Sequence, residues 1–261
     1  MSQRDAIDRP RQGGYIGRAM TTLHSAEDRQ TPGRGGEKRT PEAAGWMKRH
    51  GLSLAMLALF ILSLLGQIAV GHADYNDNAL QHGQPAIALV GYLGSGHFIE
   101  AVFENWESEF LQMAAFVFLS AYLYQIGSPD SRKLEGEPEL DIDPREQMRS
   151  DSPWPVRRGG VVLRIYENSL TLALLALFAM SFFLHAHGGA REYSSEEMSH
   201  GGSAVSTLAY MRTSRFWFES LQNWQSEFLS VAALTLLSIF LRQRHSPQSK
   251  AVADPNSKTG G

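Results

Sequence analysis

The sequence contains no cysteine, which excludes disulfide cross-links, thiol nucleophiles and thiolate-bound zinc. It also has little net charge: 24 Lys and Arg stand against 27 Asp and Glu, a formal balance of −3. Nucleic acid is therefore not an expected partner, since a domain that binds it carries a basic face. No phosphate-binding loop, dinucleotide glycine pattern or nucleophile elbow is present. Ser and His residues occur, but at no spacing that sets a base beside a nucleophile. These absences lead to the expectation of a protein that is not an enzyme and uses no cofactor. One local absence is more telling. The stretch Gly71–His97 holds no Lys or Arg.

What is present is the same segment twice. His50–Arg132 lies on Asn168–Lys250 without a gap, and about a third of the paired positions are identical. Average residue usage would give ~6% by chance. The shared stretches include Leu-x-Leu-Ala-x-Leu-Ala-Leu-Phe at Leu52–Phe60 and Leu170–Phe178, and Asn-Trp-x-Ser-Glu-Phe-Leu at Asn105–Leu111 and Asn223–Leu229. Each copy carries two apolar runs, so the duplication describes a membrane protein rather than a soluble solenoid. The bulk figures, 43% hydrophobic and 20% charged, hide this because polar residues are concentrated at the two ends and in the centre.

Leu52–Val70 has no charged residue and reaches ~28 Å as a helix, enough for the hydrocarbon core. A basic start at Lys48-Arg49-His50 and small residues near Ala73 also suit a secretory signal. The copy at Leu170–Leu184 sits mid-chain and cannot be a cleaved signal, which favours a span. The second runs, Phe110–Ile126 and Phe228–Leu241, reach only ~25 and ~21 Å. Their helices must therefore begin earlier, inside Phe98–Glu109 and Phe216–Glu227. Basic residues flank the spans at Lys48, Arg49, Arg132, Lys133, Arg157, Arg158, Arg164, Arg242, Arg244 and Lys250, while the second outer connection, Gly188–Arg215, carries Arg191, Arg212 and Arg215. This bias predicts that both termini and the central linker are cytoplasmic, with two long outer loops. An even number of spans per copy gives the copies the same polarity, related by an axis along the membrane normal.

The outer loops match loosely, at Tyr75 and Tyr193, His82-Gly83 and His200-Gly201, and Tyr92 and Tyr210. Within them Ala86–Leu93 and Ala204–Met211 are apolar enough for short helices that cap the bundle. On a helix of 3.6 residues per turn, Asn105, Ser108, Glu109 and Gln112 form one stripe, matched by Asn223, Ser226, Glu227 and Ser230. Polar groups facing lipid are costly, so the stripes are expected to face the bundle interior and each other. Trp106 and Trp224 suit the membrane-interface aromatic belt, and Trp154 beside Arg157 and Arg158 suits the inner interface.

Three readings of the stripe compete: hydrogen bonding between helices, an ion, proton or small-solute pathway using Glu109 and Glu227, and an accessory or sensing role through a partner. Histidines cluster at His185-x-His187, His200, His72, His82 and His97. Without Asp or Glu at ligand spacing they read as interfacial side chains, and no metal site is expected.

The segments Gly51-Leu-Ser-Leu-Ala55, Phe103–Ala115, Pro153–Gly160, Gly189–Tyr193 and Ser214–Leu229 together resemble an uncharacterised family of bacterial membrane proteins, a domain of unknown function. The resemblance covers roughly residues 47–250. It implies a membrane protein that begins near Met47, and it implies no activity, ligand or catalytic residue.

The expectation is then an all-α integral membrane four-helix bundle made of two tandem two-span repeats, with short helices in the outer loops. A disordered segment, 1–46, precedes repeat 1 (47–133, spans about 52–70 and 104–126). A cytoplasmic linker (134–159) leads to repeat 2 (160–245, spans about 166–184 and 222–241) and a disordered tail (246–261). The expected partner is the lipid bilayer of the cytoplasmic membrane. Four short spans suit a homo-oligomer, and no protein partner is specified.

Overall fold

The structure, a computed structural model, describes residues Glu42–Gly260 apart from Glu135 and Glu137. Most of the expected N-terminal segment, Met1–Pro41, and those two linker acids lie outside the described residues. Among the described residues all regular structure is helical: α1 (Glu42–Gln81), α2 (Leu89–Leu93), α3 (Gly96–Tyr122), α4 (Pro138–Asp141), α5 (Trp154–Arg158), α6 (Gly160–Glu167), α7 (Ser169–Ser199), α8 (Thr207–Tyr210) and α9 (Ser214–Phe240). Two of them, α1 over Gly45–Gln81 and α7, are long and apolar enough to cross a membrane. The chain falls into two compact units, Met1–Met56 and Leu57–Gly261. In the described part of the first, α1 begins with Trp46 and His50 rings 4.9 Å apart and Arg49 bonded to the Gly45 carbonyl.

In the second unit the helices opened by apolar runs do not stop where the runs stop. The first continues through Asp74 and Asn76 to Gln81, and α7 continues through Glu192 and Glu196 to Ser199. Both end on a His-Gly pair. Gly83 and Gly201 take φ of +72° and +83°, the left-handed conformation that a side chain resists. The next residue then bonds back to the helix: Gln84 N–H to Ala79 O and Gly202 N–H to Glu197 O, each 2.8 Å. This is the Schellman termination. The His side chains serve it too, since His82 Nδ1 and His200 Nδ1 donate to the carbonyls of Asn78 and Glu196 at 2.9 and 2.8 Å.

The returning chain is pinned in both places by a polar side chain of the long helix. Asn76 Oδ1 accepts the Ile87 N–H, and Ser194 Oγ accepts the Val205 N–H, each at 2.8 Å. Ser95 and Thr213 then cap α3 and α9 by accepting the amides of Phe98 (3.1 Å) and Phe216 (3.3 Å), satisfying donors that have no partner inside the helix. Both helices thus start ahead of their apolar runs.

α3 is the central helix, packed along α7 and also against α9. Its contact with α7 depends on small residues. The buried face of α7 includes Ser181, Ala186, Gly188, Gly189, Ala190 and Ser194. A Cβ at Gly96 would lie 2.6 Å from Glu192 N, and one at Gly188 would lie 2.5 Å from Glu100 N. The two backbones therefore touch, as small residues allow. Ala186, Ala190, Tyr210 and Phe216 form the core beside this crossing.

Two expected boundaries differ. The third span was placed at about 166–184, yet the helix breaks at Asn168, whose side chain bonds back to Arg164 O at 2.9 Å. The tail expected to lack structure folds back on the segment that follows α3: Thr259 Oγ1 accepts the Gly127 N–H (2.9 Å), and Gly260 N–H donates to Ser128 O (3.0 Å).

Candidate functional site

The crossing of α3 and α7 brings polar and charged residues from four helices together. Glu100, Glu104 and Glu107 follow one another at four and three residues along α3, so they share a face. That face meets His185 of α7, Tyr210 of α8 and the start of α9, where Arg215, Glu219 and Asn223 are also four residues apart.

Glu107 and His185 form the centre. Their side chains have no exposed surface, and His185 Nδ1 lies 3.0 Å from Glu107 Oε2. The second Glu107 oxygen accepts the indole N–H of Trp224 at 3.1 Å. Because a carboxylate only accepts, this geometry places a hydrogen on His185 Nδ1. The other ring nitrogen, Nε2, points to Glu219 Oε2 at 3.5 Å and makes no hydrogen bond. Phe216 covers the imidazole, with ring centroids 4.9 Å apart.

The outer part of the site is organised by Tyr210. Its hydroxyl lies 3.0 Å from Glu100 Oε1 and 2.5 Å from Glu219 Oε2. Burial, with these two carboxylates beside it, raises the pKa of the hydroxyl far above the ordinary tyrosine range. A phenol has one hydrogen, so it can serve only one of the two carboxylates at a time. Arg215 Nε donates to the remaining Glu219 oxygen at 2.9 Å, and the rest of the guanidinium pairs with Glu196. Asn223 Nδ2 donates to Glu104. Glu100, Glu107 and Glu219 are thus three carboxylates set against His185 and an arginine that is shared with a fourth carboxylate. Carboxyl groups outnumber cationic ones.

The residues of the expected stripe are divided: Asn223 enters the cluster, Glu109 and Glu227 lie near enough for their charges to interact, and the others play local parts. Ser108 is buried and donates to Asn105 O at 2.7 Å. Asn105 and Glu109 are exposed, and Gln112 is half-buried. Asn223 belongs to the cluster, Glu227 is half-buried, and Ser226 and Ser230 are exposed and bonded to their own helix. Trp106 packs edge-on to Phe103 at 5.2 Å, Trp154 is exposed, and Trp224 faces inward to Glu107. Glu100, Glu107, His185, Tyr210 and Glu219 were not singled out together by sequence pattern. The signal available was the common face of Glu100, Glu104 and Glu107 in a helix whose length required it to reach the membrane edge.

The chain belongs to the family described as "Domain of unknown function (DUF6766)", whose model matches residues 43–261. No curated protein and no solved structure matches the chain.

Proposed function

We propose that the chain is a non-enzymatic, multi-pass protein of the bacterial cytoplasmic membrane. In this reading two tandem two-span repeats are joined near the outer face by the buried Glu107–His185 centre. The observation that carries it is that centre: charged groups of α3 and α7, with no exposed side-chain surface, paired across the contact between the two copies. Buried ion pairs cost solvation and are weak contributors to stability unless fully partnered. Keeping one at the junction of the halves therefore points to a role beyond packing.

Several features support the membrane setting. Leu59, Leu62 and Leu65 of α1 and Leu229, Leu236 and Phe240 of α9 are exposed, and large exposed apolar patches mark contact with a membrane or another protein. Matching helix bounds in α3 and α9, with matching caps at Ser95 and Thr213, favour the tandem-repeat description. The Lys and Arg distribution favours cytoplasmic termini. Closure around Glu107 and His185 favours a held charge pair over an open solute path, so transport is the second reading.

Reporter fusions after His50, Asp77, Glu139, Glu196 and Lys250 test the topology. Inside, outside, inside, outside, inside is the expected order, and a cytoplasmic Asp77 would sink it. Glu109→Gln and Glu227→Gln should leave the protein's behaviour in cells unchanged, and loss of phenotype at normal protein level would favour the transport reading instead.

A further inference from the structure

We infer that Glu100, His185 and Glu219 bind one divalent first-row transition metal ion, with zinc the fitting probe. This deepens the preceding reading and rests on it, because the ion would tie the same helices together. One ligand atom from each residue lies within 4.8 Å of the others. Ligands around tetrahedral zinc, at bonds of ~2.1 Å, stand ~3.4 Å apart. The His185 Nε2 to Glu219 Oε2 distance of 3.5 Å already has that span, and Glu100 needs to approach by roughly 1 Å.

The independent sign of a ligand is the histidine itself. It has no exposed surface, yet Nε2 faces the two carboxylates without a hydrogen bond. Its other nitrogen is held by Glu107, which is fixed in turn by Trp224. A carboxylate that orients a histidine from behind, so that Nε2 ligates once the ion displaces its proton, is the usual second layer of a histidine–metal bond. Charge agrees: the three carboxylates exceed the positive groups that face them, Arg215 is already divided between Glu219 and Glu196, and Tyr210 has one hydrogen for two acceptors. A dication between Glu100 and Glu219 removes both deficits. The nitrogen donor and enclosed position suit zinc, iron(II) or manganese better than calcium or magnesium, which take oxygen ligands and more water.

The test uses the full chain purified in detergent, stripped with a chelator and titrated with zinc, and with cobalt(II) as the absorbing substitute. One ion per chain is expected. His185→Gln and Glu219→Gln should weaken binding by at least ~100-fold, and Glu107→Gln, which acts only through His185, by ~10–100-fold. His82→Gln and His200→Gln should leave binding unchanged. On the wild-type protein, zinc should shift the 15N resonance of His185 Nε2 much more than that of Nδ1, a readout that needs no variant to fold. Binding that survives His185→Gln, or an Nε2 resonance indifferent to zinc, overturns the inference. If zinc fails while the fusion map keeps its expected order, the membrane reading stands alone. A failed map with zinc bound at His185 reverses that outcome.

Discussion

Tyr92 and Tyr210 coincide when the two copies are overlaid, and their surroundings show what duplication kept and what it let go. Each is almost fully buried, at 1% and 0% exposure. Each presses on a glycine of the preceding long helix: a Cβ at Gly71 would meet the Tyr92 hydroxyl at 2.2 Å, and one at Gly189 would meet the Tyr210 ring at 2.5 Å. Tyr75 and Phe98 flank the first ring, and their counterparts Tyr193 and Phe216 flank the second. The hydroxyls differ. Tyr210 donates into a pair of carboxylates, whereas Tyr92 is ringed by His72 and His97. The shared ring positions are packing; the unshared charges around Tyr210 are chemistry. Glu100, Glu107, His185 and Glu219 lie opposite Phe218, Gln225, Gln67 and Ala101 in the overlay.

The comparison is broken most severely at His185. His185→Leu leaves Glu107 buried with only the Trp224 indole as partner, and losing one side of a buried pair costs about 3–5 kcal/mol. Gln67→Leu, at the exposed counterpart, should stay within ~0.5 kcal/mol. Thermal unfolding in one detergent, read as the difference between the two variants, checks both. Equal effects would show that the centre contributes no more than its surface counterpart.

Next come the glycines. Alanine at either position overpacks, at about 1–3 kcal/mol, but relief differs. At Gly71 the nearest atom is the tip of the Tyr92 ring, so Tyr92→Phe should recover most of the loss. At Gly189 the ring edge is as close as the hydroxyl and the hydroxyl is held by two carboxylates, so Tyr210→Phe should not rescue. Tyr210→Phe alone removes a charge-assisted hydrogen bond, about 1.5–3 kcal/mol. Tyr92→Phe alone should be near neutral, because no hydrogen bond to its hydroxyl exists among the described residues. Rescue of both glycine variants, or of neither, would erase the distinction between the two pockets.

Much of the helical framework was legible because it rests on features a sequence displays: apolar runs, and runs too short to span unless their helices begin early. The all-helical class and two helices able to cross a membrane follow from those runs alone. The site was less legible, for a physical reason. Residues that occur once are invisible in an overlay of the chain on itself, which draws the eye to Asn105, Glu109, Asn223 and Glu227. Two residues on a helix are ~200° apart, so Glu107 is buried while its neighbour Glu109 is exposed. Which carboxylate turns inward is decided by the Gly96–Gly188 contact, and nothing local in the sequence marks that pairing. The long polar ends of α1 and α7 were missed for a related reason. Their apolar pattern stops near residues 70 and 184, and what carries the helices onward is tertiary packing and a glycine stop, with the Nδ1 atoms of His82 and His200 capping the helix ends.

The smallest effect sharpens the comparison from the opposite side. Ser95 and Thr213 make the same bond to the amide three residues on, at 3.1 and 3.3 Å, and both stand just before a buried crossing or core residue. Where duplication preserved a purely local device, its two copies should have the same energetic weight. Ser95→Ala and Thr213→Ala should each cost about 1 kcal/mol, the usual loss for an N-cap hydroxyl, and their sum should match the double variant because the caps share no partner. Each cap opens a helix that supplies the charged centre: α3 carries Glu100 and Glu107, and α9 carries Arg215 and Glu219. Thr213 Oγ1 also donates to Tyr210 O at 2.7 Å, so an excess loss at Thr213→Ala that His185→Leu abolishes measures how far the cap positions Glu219, and an excess that persists belongs to the Tyr210 bond. If the two losses are equal, α9 holds its carboxylate through packing alone, and the chemistry of the site is independent of the helix start that presents it.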